Sequence, residues 1–209
     1  MRPSPPTEAN PNARLEAFSD GVFAIALTLL IIDVKLPGTE SIADTADFWR
    51  ALQRLSPTVL AFVLSFGVVL IAWVNHHAAL KLVGRSSAAF IYANGFLLLT
   101  VVFIPFPTSL LGAFILTDHA APAVVVYDAV LAVQSFGWVL LSGAALKGQL
   151  TKDEQATATL RKNRVDGYSA VGLYSLLSLA AVWFPLTAAT ITALTWVFWL
   201  AYGLRAKHA

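Results

Sequence analysis

The sequence predicts an all-α membrane protein with six transmembrane helices, and three observations predict it. Only 12% of the residues are charged while 57% are hydrophobic, with a mean hydropathy of +0.70. A soluble domain carries about 25% charged residues, so this chain cannot cover its surface with solvated groups and needs lipid as its solvent. Its apolar residues also fall into six runs separated by polar, Pro- or Gly-bearing segments, all but the first approaching the ~20 residues of a spanning helix.

The same composition excludes several classes of function. A formal net charge of +2, with Lys and Arg unclustered, does not suit nucleic acid as a partner. The absence of Cys removes disulfides, thiolate metal sites and cysteine nucleophiles. Six Trp, 13 Phe and five Tyr fit aromatic anchoring at two membrane interfaces.

Residues 1–13, with four prolines and little that is apolar, read as a disordered arm. Helix one is expected from Arg14 to Leu36, with Pro37-Gly38 ending it. Its apolar core, Val22–Ile32, interrupted only by Thr28, is short for a lipid-facing span, and Arg14, Ser19 and Asp20 stand at its entrance. Charge there is costly and suits a helix surrounded by protein or lining water. Residues 37–55 are polar and of mixed charge, with Phe48 and Trp49 suited to an interface.

Helix two is expected from a Ser56 cap with Pro57 in its first turn to about Val83. Helix three, about Ala88 to Leu116, contains Pro105-Phe106-Pro107-Thr108, which should kink it and free backbone carbonyls. Helix four runs from about Pro122 to Leu146, and a basic loop from Lys147 to Arg164 leads to helix five, about Val165 to Phe184. Pro185 marks a tight turn into helix six, about Leu186 to Leu204. Residues 14–206 thus form one transmembrane domain, with 207–209 as a tail.

With the amino terminus cytoplasmic, eleven basic residues (Arg2, Arg14, Lys81, Arg85, Lys147, Lys152, Arg161, Lys162, Arg164, Arg205, Lys207) lie inside and three (Lys35, Arg50, Arg54) outside. That bias places both termini in the cytoplasm.

Asp20, Asp128 and the pair His76-His77 are the ionisable groups within spans or near their ends. Trp73 precedes the histidines by one turn and shares their side of helix two. The cluster either locks helix one to helix two or relays protons; for each residue taken singly, the plainest role is a satisfied hydrogen bond between helices. A metal site is not expected, because adjacent histidines point about 100° apart on a helix and no third ligand is suitably spaced. Asp128 is expected either as a water-exposed interfacial acid or as a partner of Arg50 or Arg54. No catalytic motif and no Thr-Val-Gly-Tyr-Gly potassium filter is present.

Arg14-x-x-x-Phe18-Ser19-Asp20, running into Gly-Val-Phe-Ala-Ile-Ala-Leu-Thr-Leu-Leu, resembles the first-helix signature of the transmembrane-protein-175 potassium channels. Trp73-x-x-His76-His77, Asn94 and Pro105-Phe106-Pro107-Thr108 are similar to the bacterial members, and the likeness covers essentially the whole chain. It implies a homotetramer in a bacterial inner membrane, with helix one of each subunit lining a central pore for monovalent cations. The permeant ion would be potassium and no cofactor would be resident. It further implies constriction by apolar rings, which fall on Ile25, Leu29 and Ile32, with Thr28 as a polar ring between them.

A helical wheel is consistent with that assignment. At about 100° per residue and with Ile25 at zero, Thr28, Leu29 and Ile32 fall at about 300°, 40° and 340°. Asp20 falls at about 220°, away from the stripe. The expectation is therefore that Arg14, Phe18, Ser19, Asp20, Trp73, His76 and His77 anchor helix one, while the apolar stripe gates the pore. The alternative is a proton-coupled carrier or proton-conducting protein using Asp20 and His76.

Overall fold

Helix α1 (Ala13–Leu29) tightens into a 3-10 turn, Leu30–Asp33, and so ends earlier than the expected Leu36. The shorter i→i+3 bonds satisfy carbonyls at the helix end, and Val34 N–H donates to the Ile31 carbonyl as the chain leaves helical geometry. The computed structural model describes residues 11–35, 37–38 and 42–205. Most of the expected N-terminal arm, Leu36 and the tail 207–209 lie outside the described residues.

The segment 37–55 contains a helix that its polarity concealed. Asp44 caps α2 (Thr45–Arg54) by accepting from Asp47 N–H at 2.7 Å. Arg50 pairs with Asp47 one turn away at 2.7 Å. Phe48 and Trp49 are exposed beside these charges, the pattern of a helix lying in a membrane interface. Helix α3 (Ser56–Lys81) follows after Leu55 alone. Ser56 is therefore not a cap, because α-helical Leu55 itself supplies the carbonyl that Val59 N–H needs.

Ser87 caps α4 (Ala88–Phe103), and Ile104 joins it to α5 (Pro105–Phe114). Where a single kinked helix is expected, the prolines divide it into two pieces at Ile104, and local groups repair the ladder. Ile104 N–H turns to the Val101 carbonyl, and the Thr108 hydroxyl donates to the Ile104 carbonyl at 2.8 Å. Thr108 also lies 2.7 Å from the Ser65 hydroxyl of α3, which meets the Tyr127 hydroxyl of α6 at 3.0 Å. The kink is thus tied to two neighbouring helices.

Helix α6 (Ala120–Lys147) is the centre of the bundle, packed by α4, α5, α7 and α8. Helix α7 (Glu154–Ala180) starts eleven residues before the expected Val165. Asp153 caps it by accepting from Ala156 N–H at 2.7 Å, so most of the expected basic loop is helical. Helix α8 (Pro185–Arg205) closes the described chain. Close approach depends on small residues: a Cβ on Gly112 would lie 2.9 Å from Thr58 Cα, and one on Gly137 would lie 3.2 Å from Leu97 Cα.

Among the described residues the architecture is all-helical, apart from one isolated antiparallel bridge, Val83–Thr151, that ties the α3–α4 turn to the α6–α7 turn. Among the described residues, four helical stretches are long and apolar enough to cross a membrane: Ala13–Ile32, Ser56–Lys81, Ala88–Phe114 and Ala120–Lys147. The first half of α7 carries Arg161, Lys162, Arg164 and Asp166, and the described apolar part of α8 is the shorter stretch Pro185–Val197.

Candidate pore helix and its anchor

Helix α1 is peripheral. Only 22% of its apolar window is buried, against 50% for α6, and its neighbours are α3 and α4. Its inner face carries Ser19, Phe23, Ala26 and, in the 3-10 turn, Leu30, all at most 1% exposed. Its outer face carries Ile25 at 58% and Ile32 at 65% exposure, with Thr28 and Leu29 also exposed between them. The four candidate pore positions therefore share one uncovered stripe. Thr28 donates its hydroxyl hydrogen to the Ile25 carbonyl at 2.9 Å, which leaves the oxygen lone pairs as its free function.

Two polar connections hold the inner face. Trp73 Nε1 of α3 donates to Asp20 Oδ1 at 2.8 Å. One turn along α3, His76 Nε2 lies 2.6 Å from Asn94 Oδ1 of α4, while Asn94 Nδ2 donates to Ser19 Oγ of α1 at 3.1 Å. Because the Asn94 amide nitrogen serves Ser19, its oxygen must accept, so His76 Nε2 is the donor. Ser19, His76 and Asn94 are all buried. The His76 ring packs against Phe23 of α1 at 5.3 Å and Trp138 of α6 at 6.3 Å between centroids. His77 points outward and stacks on Trp73 at 6.3 Å.

Of the seven residues expected to anchor α1, the structure brings together Ser19, Asp20, Trp73 and His76, with His77 stacked behind. Arg14 and Phe18 stand instead on the outer face, Phe18 at 63% exposure. Phe18 precedes Ile25 by seven residues and Arg14 by eleven, so helical geometry returns each to within about 20° of Ile25.

Asn94 is the residue that joins α1, α3 and α4, and its signal in the sequence is a lone amide in an apolar run. A second clasp lies at the start of α1. Buried Asn12 donates through Nδ2 to the Val83 carbonyl at 2.9 Å, and Ser86 Oγ donates to Asn12 Oδ1. Asp128 is neither water-exposed nor paired with Arg50 or Arg54. It is fully buried on α6 and accepts from Thr192 Oγ1 of α8 at 2.8 Å. It stands in the first third of the central helix α6 and turns to the bundle interior, where α8 is the partner within reach. No group of three metal-ligating side chains occurs among the described residues.

A family model described as the endosomal/lysosomal potassium channel TMEM175 matches residues 14–105, which include α1, α3 and the anchor. The chain is 36% identical over 196 residues to a potassium channel of Chamaesiphon minutus, covering 90% of this chain and 94% of that protein. The crystal structure of a lysosomal potassium-selective channel TMEM175 homolog from Chamaesiphon minutus superposes with a TM-score of 0.74 at 34% identity, covering 90% of this chain and 96% of that one. The endosomal/lysosomal proton channel TMEM175 of Homo sapiens is 31% identical over 102 residues, which is 48% of this chain and 20% of that protein. Likeness at this identity over nearly the full length, with the same fold, makes the chain a member of the TMEM175 potassium channel family, a family of ion channels.

Proposed function

We propose that the protein is a potassium-permeable channel of a bacterial inner membrane, a homotetramer of six-span subunits whose termini are cytoplasmic. Helix α1 of each subunit faces a shared central pore. The observation that carries this reading is the uncovered stripe Ile25, Thr28, Leu29 and Ile32 on a helix whose other face is locked by Ser19 and Asp20. Polar anchoring on one side and bare apolar side chains on the other suit a helix that has to hold a gate in register.

An apolar ring offers no ligand to replace an ion's water, and full dehydration in such a medium is prohibitive. Ions therefore pass only when the ring is wide enough to stay wet. Ile25 acts as a dewetting gate, with Leu29 and Ile32 extending it. Four Thr28 oxygens, each with its hydrogen engaged by the Ile25 carbonyl, present acceptors to a passing monovalent cation and favour weakly hydrated potassium modestly over sodium. Anchoring α1 through Asp20–Trp73 and Ser19–Asn94–His76 keeps the rings aligned.

A second reading is proton conduction through Asp20 and His76, supported by the proton-channel name of the human relative. Against it, both residues lie away from the stripe, each engaged by a separate partner, Trp73 and Asn94. Purified protein in liposomes, with potassium, sodium and proton flux measured side by side, separates the two. Potassium flux exceeding sodium flux supports the channel reading, whereas proton flux alone supports the alternative.

A further inference from the structure

Between α3, α5, α6 and α8 lies a cavity of about 670 Å³, within the range of about 300–1,000 Å³ that accepts small organic molecules. It sits at the end of the bundle where α3, α6 and α8 begin. Its walls are mainly apolar, from Leu60, Leu64, Leu111, Ala189 and Leu194, and among the described residues no Lys, Arg or His lines it. Leu60 and Leu194 are both highly exposed, so the cavity's flank is part of the apolar outer surface of the bundle.

At the floor is Asp128. Thr192 donates to Oδ1, but Oδ2 has no hydrogen-bond partner although the residue is fully buried. A second unpartnered polar atom, Trp196 Nε1, belongs to the same lining one turn after Thr192. A buried carboxylate oxygen without a donor is costly, and nothing in the anchor or the α1 stripe uses it.

We propose that this cavity is a binding site for a lipid-soluble amine, whose alkyl body fills the apolar cleft and whose ammonium donates to Asp128 Oδ2. The chemistry of the lining decides the class. A hard metal ion needs about six oxygen ligands, and beside the carboxylate the lining offers only hydroxyls, of which those of Tyr127, Thr190 and Thr192 are already engaged within the protein. A fatty acid would set one carboxylate against another with no basic residue to pair it. A neutral hydrocarbon leaves Oδ2 orphaned. An ammonium on an apolar tail satisfies both halves of the site, and such amines concentrate in a bilayer.

The test is thermal unfolding of the detergent-purified protein with n-octylamine, n-octanol or octanoate at equal concentration, in the wild type, Asp128→Asn and Ala193→Trp. Ala193 lines the cavity, and a Trp there occupies it. The expected result is a melting-temperature rise from octylamine, larger than that from octanol and absent with octanoate, and lost in both variants. Equal shifts from amine and alcohol in the wild type overturn the role of Asp128. An amine shift unchanged in Ala193→Trp overturns the site. If Asp128→Asn does not fold, those two comparisons still decide the matter.

Discussion

Trp73 Nε1 donates to Asp20 Oδ1 across 2.8 Å, and this bond joins α1 to α3 on the side away from Ile25. Asp20 therefore works as a strut between helices. Removing one partner of a hydrogen bond to a charged group costs about 1.5–3 kcal/mol. Asp20→Ala and Trp73→Phe should each lower the melting temperature of the purified protein. The double variant should lose less than the two single losses combined, with a coupling of about 0.5–3 kcal/mol. Strict additivity would show that the bond carries no stability.

Asn94→Leu should be worse than His77→Ala. The first leaves the Ser19 hydroxyl and His76 Nε2 buried without partners, at about 1–3 kcal/mol for each group. The second removes an exposed ring stacked on Trp73, at about 0.5–1.5 kcal/mol. Melting of the two variants in one detergent gives the order.

Two glycines should respond with opposite sign. Gly112→Ala drives a Cβ to 2.9 Å from the Thr58 backbone, which forces α3 and α5 apart and costs about 1–3 kcal/mol. Gly95→Ala meets nothing within 4 Å on α4, and gains up to about 1 kcal/mol of helix propensity. Melting temperatures should move down for the first and stay level or rise for the second.

Thr28→Val keeps the shape of the side chain and removes the oxygen that faces outward. On the proposed reading, potassium permeation in liposomes persists, because the apolar rings remain, while the preference for potassium over sodium falls. Loss of all flux with the fold intact would assign Thr28 a role other than weak coordination.

The long apolar helices were legible because burial in lipid leaves a run of apolar residues whatever the tertiary packing. Helix α2 was not, since a polar helix of ten residues looks like any polar connection, although the Asp44 cap was in view. The start of α7 was hidden for a related reason: Arg161, Lys162 and Arg164 end the apolar pattern but not the helix, which Asp153 starts. At the site, the angular separation of Asp20 from Ile25 follows from helix geometry alone, as does the placement of Arg14 and Phe18 beside Ile25. Asn94 and Thr192 could be seen as polar residues in apolar runs, but their partnerships with His76 and Asp128 depend on how helices distant in sequence pack.

The central claim is that the bare stripe of α1 meets the ion, and the most direct measurement is flux through Ile25→Asn in liposomes. A polar amide at the constriction keeps it wet, so the account predicts potassium flux above the wild type and a weaker potassium-over-sodium preference. Unchanged flux and unchanged preference in a correctly folded variant would contradict it.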